Sequence, residues 1–403
     1  MTILPIEKVY DAKKVLSQIA RKTDIIHSNY LSEKNNVYLK TENLQLTGSF
    51  KLRGAYYKIS KLTPEQKAKG IIACSAGNHA QGVALAAKKN NIKATIFIPA
   101  TAPLSKVEAT KSYGAEIKLI DGVYDDAYRE AVKFQEETGG VFIHPFDDID
   151  VIAGQGTIAL EILEQMDNID AIVVPIGGGG LIAGISATAK MINPKCKIYG
   201  VQASGASSMY DSIKQKKRVE LSHVNTFADG TAVKLPGEIT YSIVKECVDD
   251  IITVSDDEIA SAVLRLMEKE KVVAEGSGAL PVAAVMFDKI PLENKNIVCL
   301  ISGGNIDVNI LSRVINRALL KTGRISNLTI ELLDKPGQLK DVSTIIADLG
   351  ANVIRVRHNQ GGEGTDINDC YLKISMETRD FKHFEMIKKA LIEKGYNLTS
   401  TVQ

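Results

Sequence analysis

"AIVVPIGGGGLIAG", Ala171–Gly184, sets an apolar run, four consecutive glycines and a second apolar run side by side. The uncharged stretch around it reaches Ala189, about the length of a membrane span, but Pro175 and five glycines interrupt it and Asp170 and Lys190 flank it. A strand to Ile176, a turn through Gly177, Gly178, Gly179 and Gly180, and then a helix fit it better. Such a turn aims several backbone N–H groups and a helix N-terminus at one point, where a phosphate is the natural occupant. A tight turn with close backbone packing is the other reading, although four adjacent glycines carry a large conformational-entropy penalty.

The same alternation recurs outward. "GIIACSA", "ATIFIPA", "AEIKLI", "GVFIHP", "KIYGVQA" and "NIVCLISGG" are short apolar runs separated by helical patterns between about residues 70 and 310. This order predicts an α/β fold, a parallel sheet covered by helices on both faces, with ligands outside the carboxyl ends of the strands. After "ALLKTGRISN", Ala318–Asn327, the order becomes strand, helix, two strands around the Gly-rich "NQGGEGTDIND", helix, strand: βαββαβ, the ferredoxin-like arrangement. The expected division is a domain over residues 1–320, with a smaller subdomain of about 46–145 inserted in the larger, a linker at 321–326, and a second domain over 327–403.

The chain has 403 residues, 45% hydrophobic and 24% charged, enough for two or three cores. Forty-nine Lys plus Arg against 48 Asp plus Glu give a formal charge of +1, so no global field points to nucleic acid or an anionic membrane. The five cysteines form no CxxC pair, which argues against a disulfide framework or a zinc site. The start, "MTILPIEKVYDAKKVL", lacks the pattern of a secretory signal, and a cytoplasmic protein is expected.

Three further stretches could carry chemistry. In "TGSFKLRGAYYKI", Thr47–Ile59, a helical wheel puts Leu52, Ala55, Tyr56, Ile59 and Leu62 on one arc with Lys51 at its rim. Lys51 could be a reactive amine or a snorkelling lysine, and Lys58 shares its wheel angle. "CSAGNHAQG", Cys74–Gly82, offers a hydroxyl, an amide, an imidazole and free N–H groups, and could equally be a polar turn and helix cap. "LISGGN", Leu300–Asn305, ends a strand in small polar residues. The glycine loop fails the Walker pattern for want of Gly-Lys-Ser/Thr, and it meets the dinucleotide fingerprint in part, with Gln202 where an acid is expected. Together, an amine, a phosphate cradle without nucleotide features, a polar loop and a strand-end serine are what a phosphorylated aldehyde cofactor needs.

At these residues the sequence resembles the threonine dehydratases (threonine ammonia-lyases), pyridoxal-phosphate enzymes of the tryptophan-synthase-like fold type II. "TGSFKLRGA", "SAGNHAQGVA", "IGGGGLIAG" and "SGGN" occur in the family's order and approximate spacing. The resemblance implies two parallel-sheet α/β subdomains, pyridoxal 5'-phosphate bonded to Lys51, its phosphate on Gly177, Gly178, Gly179 and Gly180, Asn78 at its phenolic oxygen and Ser302 at its pyridine nitrogen. Ser75, Ala76, Gly77, Asn78 and His79 would receive the substrate carboxylate. The implied reaction is β-elimination and deamination of L-threonine to 2-oxobutanoate and ammonia, with L-serine as a further substrate and Lys51 as the base at Cα. Serine racemases resemble this chain too, but carry a serine where it has Ala76, and acidic metal ligands near Gln202 and Ser208, so no metal is expected. A serine dehydratase or racemase of the same fold is one alternative, and an amino-acid sensor with a degenerate catalytic half is another.

The C-terminal segment resembles an ACT domain, a regulatory module that often binds amino acids. By that resemblance an allosteric effector would bind near Pro336, Gly337, Gln338 and Asn352, in a homodimer or homotetramer. Neither nucleic acid nor membrane is expected as a partner.

Overall fold

The computed structural model describes residues 4–360 and 369–399, leaving out the side chains at 360 and 369. Most of the Gly-rich loop after residue 360 therefore lies outside the described residues. Two compact units divide the chain, Met1–Ile310 and Leu311–Gln403, so the helix Val308–Lys321 straddles the division.

The first unit holds two sheets. Six strands run in the order Ile25–Ser28, Asn36–Lys40, Asn296–Leu300, Ala171–Pro175, Lys197–Ala203, Asp250–Val254, all parallel except the first pair. Four parallel strands form the other sheet in the order Glu116–Ile120, Ala94–Pro99, Ile71–Cys74, Val141–Phe142. The second sheet lies, in sequence, between the second and third strands that the first sheet takes from the chain. Ile71–Cys74, Ala94–Pro99 and Ala171–Pro175 are buried throughout, as strands covered on both faces must be. "AIVVPIGGGGLIAG" forms the strand Ala171–Pro175, a turn, and the helix Gly180–Ile192.

Paired glycines bring three helices together, backbone against backbone. A Cβ on Gly154, in the helix Ile149–Gln165, would come within 2.6 Å of the Gly54 Cα in the helix Lys51–Ser60. A Cβ on Gly184, in the helix Gly180–Ile192, would come within 2.3 Å of the Ile152 carbonyl and 2.7 Å of the Gly156 nitrogen. The helix that starts at Lys51 is thereby packed through a shared neighbour to the helix that starts in the glycine loop.

A buried ionic cluster secures the same helix. The Arg53 guanidinium, 1% exposed, donates to both Glu42 carboxylate oxygens at 2.8 Å each, and to Glu161 at 2.6 and 3.0 Å. Lys40 donates to Glu161 at 2.8 Å and to the Thr23 carbonyl at 2.6 Å. Two cations and two carboxylates thus compensate one another away from water, as buried charge requires.

The second unit is an antiparallel sheet in the order Asn352–Gln360, Asp369–Glu377, Ile325–Leu333, Asn397–Thr399, with the helices Gln338–Asp348 and Phe381–Glu393. That is the βαββαβ arrangement of an ACT domain, with a core that includes Leu328, Ile330, Ile346, Leu372, Ile374 and Ile387. Among the described residues no helix is long and apolar enough to cross a membrane.

Candidate active site

Lys51 is the first residue of its helix, preceded by the left-handed Gly48 at φ +68° and the bridge between Ser49 and Gly303. Its Nζ donates to the Pro145 carbonyl at 2.9 Å and lies 5.3 Å from the centre of the Phe50 ring. Burial pulls the amine down to about 8, opposed by Glu275 only to the extent that this carboxyl is ionised. A fraction of Lys51 is therefore neutral near pH 7, unlike an ordinary lysine. Lys58 has a different environment: its Nζ pairs with Asp148 at 2.7 Å and Asp150 at 3.2 Å.

The carbonyl that holds Lys51 belongs to the segment that follows the strand Val141–Phe142, where the sequence "GVFIHP" shows only a strand end. His144 Nδ1 accepts from the Asp147 N–H at 2.8 Å, Asp147 caps the helix Glu238–Cys247 at Ile239 (2.9 Å) and Thr240 (3.1 Å), and Asp148 caps the helix Ile149–Gln165. Phe146, fixed between these caps, lies on the glycine loop: a Cβ on Gly178 would meet its ring at 2.4 Å, and one on Gly180 its backbone at 2.8 Å. The segment thus touches Lys51 with one residue and the glycine loop with the next. Two consecutive aspartates ahead of a helical pattern were the signal that could have found it.

The glycine turn is shaped by its contacts. Gly179 is left-handed at φ +100°, and a Cβ there would come within 2.7 Å of Met209 Cε and 2.8 Å of the Thr240 hydroxyl, which donates to the Gly178 carbonyl at 2.6 Å. The helix begins at Gly180, so its first N–H groups have no partner within the helix.

Asn78 opens the helix Asn78–Lys89, with Gly77 as its cap and open space beside the Gly77 Cα. The Asn78 amide donates to Glu275 Oε1 at 2.7 Å and accepts from Asn305 Nδ2 at 2.8 Å. Ser75 Oγ accepts from the Gly77 N–H at 3.1 Å. The His79 ring is 4% exposed and meets the Ile143 carbonyl at 2.8 Å; burial and then the Lys51 charge push it down to about 3, so it stays neutral. Ala76 packs partly buried against the core of the smaller sheet. Ser302 is 2% exposed, and its carbonyl accepts from the Phe50 N–H at 3.1 Å, beside Lys51.

Glu275 was not singled out from sequence, although a lone carboxylate in the apolar "VVAEGSGALPVAAVM" calls for a reason. It is 4% exposed, and burial, then Asp229, pushes it up to about 8. With Asn305 it lines a cavity of ≈ 210 Å³, which Lys106 and Asp229 also flank as an ion pair.

Gln202 and Ser208 are spent on structure: Gln202 accepts from the Tyr210 N–H at 2.8 Å, and Ser208 donates to the Val233 carbonyl at 2.8 Å. The ligand-type trio Asp334, His358 and Cys370, with donor atoms within 4.8 Å of one another, belongs to the C-terminal unit.

A family model described as "Pyridoxal-phosphate dependent enzyme" matches residues 16–303. The L-threonine ammonia-lyase of Thermotoga maritima is 46% identical over 398 residues, 98% of this chain and 99% of that protein. The processed form of threonine deaminase isoform 2 from Solanum lycopersicum superposes with a TM-score of 0.75 at 40% identity, covering 78% of this chain and 93% of that one. Maize serine racemase superposes with a TM-score of 0.74 at 38% identity, over 79% of this chain and 98% of that one. With a matched segment that contains Lys51, the Asn78 loop, the glycine loop and Ser302, the chain belongs to the pyridoxal-phosphate dependent enzymes.

Proposed function

We propose that the protein is an L-threonine ammonia-lyase, converting threonine to 2-oxobutanoate and ammonia, with L-serine as a second substrate. The buried Lys51 amine, tied through the Pro145–Phe146 segment to a glycine loop that opens a helix, supports the cofactor chemistry, and the 46% identity to the L-threonine ammonia-lyase of Thermotoga maritima supports threonine as substrate.

The residues fit pyridoxal phosphate. The side-chain-free turn and helix N-terminus suit a dianionic phosphate, Lys51 supplies a lowered amine, and the Ser49 hydroxyl two residues earlier is buried without a hydrogen-bond partner. When bound, the cofactor supplies an aldehyde for the amine and an electron sink for the charge left on Cα. Gly177, Gly178, Gly179 and Gly180 would hold the phosphate through N–H groups. Ser302 would offer the pyridine nitrogen a neutral hydroxyl. The first N–H groups of the helix Asn78–Lys89, with the Ser75–Gly77 turn, would receive the substrate carboxylate at the positive helix end. His79 would contribute there through its backbone, its ring being committed to Ile143. Lys51, released from the cofactor, would take the Cα proton, since a neutral amine is the form that accepts one. Ala76 has no proton to give, which favours elimination over racemisation.

Effector binding at Pro336, Gly337, Gln338 and Asn352 is part of the same proposal. Gly337 is left-handed at φ +98° and caps the helix Gln338–Asp348, and the exposed Asn352 donates to Glu377 at 2.9 Å.

The test is production of 2-oxobutanoate from threonine by purified protein that shows a visible cofactor band. Lys51→Ala should abolish turnover, whereas Lys58→Ala should keep most of it. A cofactor-loaded enzyme that yields no 2-oxobutanoate would refute the reading.

A further inference from the structure

We infer that Asn305 and Glu275 are positioning residues that clamp the Asn78 side-chain amide in one orientation, leaving a single Nδ2 hydrogen free for the cofactor. The inference deepens the proposed function and rests on the placement, implied by the family resemblance, of the Asn78 side chain at the cofactor's phenolic oxygen.

The direction of the clamp follows from counting donors. The Thr47 carbonyl can only accept, so the 2.7 Å contact from Asn305 Nδ2 fixes which end of the Asn305 amide is nitrogen. The second Nδ2 hydrogen of Asn305 then meets Asn78 at 2.8 Å, and the atom that receives it must be Oδ1. Asn78 Nδ2 is thereby turned to Glu275 Oε1 at 2.7 Å. One of its two hydrogens is spent there, and no other partner takes the second among the described residues.

The surrounding backbone makes room for this chain of amides. A Cβ on Gly48 would lie 2.2 Å from Asn305 Oδ1, and Gly48 is left-handed. A Cβ on Gly303 would lie 2.6 Å from Glu275 Oε1 and 3.2 Å from Asn78 Nδ2. Backbone bonds join the same loops, from the Gly304 N–H to the Gly48 carbonyl at 2.9 Å and from the Glu275 N–H to the Gly303 carbonyl at 3.1 Å. The clamp therefore couples the loop that leads to Lys51 with the strand-end loop of Ser302. Burial that keeps Glu275 protonated up to about pH 8 spares the cavity an unpaired negative charge while Oε1 still accepts.

The experiment measures cofactor release from the holoenzyme and the position of its visible band in Asn78→Ala, Asn305→Asp, Glu275→Leu and Glu275→Gln. Asn305→Asp removes both donors at nearly constant shape, Glu275→Leu removes the acceptor, and Glu275→Gln keeps it. We expect about tenfold weaker cofactor retention and a shifted band in the first three, a change within about twofold in Glu275→Gln, and no further loss when Glu275→Leu is added to Asn78→Ala. Asn305→Asp and Glu275→Leu proteins that retain the cofactor as wild type, while Asn78→Ala does not, would overturn the clamp. Additive losses would do the same. An Asn78→Ala protein with wild-type retention and band would instead remove Asn78 from the cofactor site, a failure of the underlying reading that is distinct from the first. Should Glu275→Leu not fold, Asn305→Asp with Glu275→Gln decides alone.

Discussion

Lys51 and Lys58 occupy nearly the same position on a helical wheel, yet they differ in what surrounds the nitrogen. Lys58 pairs with Asp148 and Asp150, and its amine is held above the ordinary lysine value despite partial burial. Lys51 has one carbonyl and, among the described residues, no ion pair, so burial dominates and its amine falls to about 8. Its neutral, nucleophilic form therefore grows as pH rises through about 8. The rate at which cofactor-free protein recaptures pyridoxal phosphate should rise with pH with its midpoint there, measured by return of the visible band; a midpoint near that of free lysine, about 10.4, would refute the lowered amine. The wheel could not distinguish the two lysines because the groups that do so, Pro145 and Asp148–Asp150, lie some ninety residues further along the chain. Glu275 and Asn305 were missed for the same reason, each acquiring its role from Asn78.

At the scale of elements, Ile71–Cys74, Ala94–Pro99 and Ala171–Pro175 were legible because a strand buried on both faces has few polar residues. Ile25–Ser28, Asn36–Lys40 and Asp250–Val254 were not: two are edge strands, and all three mix polar with apolar residues. Nor could the pattern show that Gly54 meets Gly154, or that Gly156 meets Gly184. Those contacts set the distance between the helix of Lys51 and the helix of the glycine loop. Gly154→Ala should push the helix Lys51–Ser60 outward, lowering stability by about 1–3 kcal/mol, the usual range for overpacking a tight interface. Denaturant titration would check the first effect, and turnover should fall more than at an exposed control position. Unchanged stability would mean the helices can separate without strain.

At the scale of the whole molecule, the chain combines a unit matched by a known catalytic family with a βαββαβ unit beyond the matched segment. If Pro336, Gly337, Gln338 and Asn352 form an effector site, threonine saturation curves should shift with isoleucine, valine or a nucleotide, and Gly337→Val should abolish the shift without changing basal turnover. Curves indifferent to all three ligands would leave the C-terminal unit an architectural role. The sequence by itself determined the fold class and the alternating order of elements between about residues 70 and 310 and in the βαββαβ unit, and it singled out four candidate loops, because periodicity and turn composition are local properties. Only the tertiary structure decided which lysine is desolvated, which carboxyl stays protonated, and how Asn78 is oriented. Those outcomes depend on burial and on hydrogen-bond partners as many as 258 residues apart in the chain, which no local pattern records.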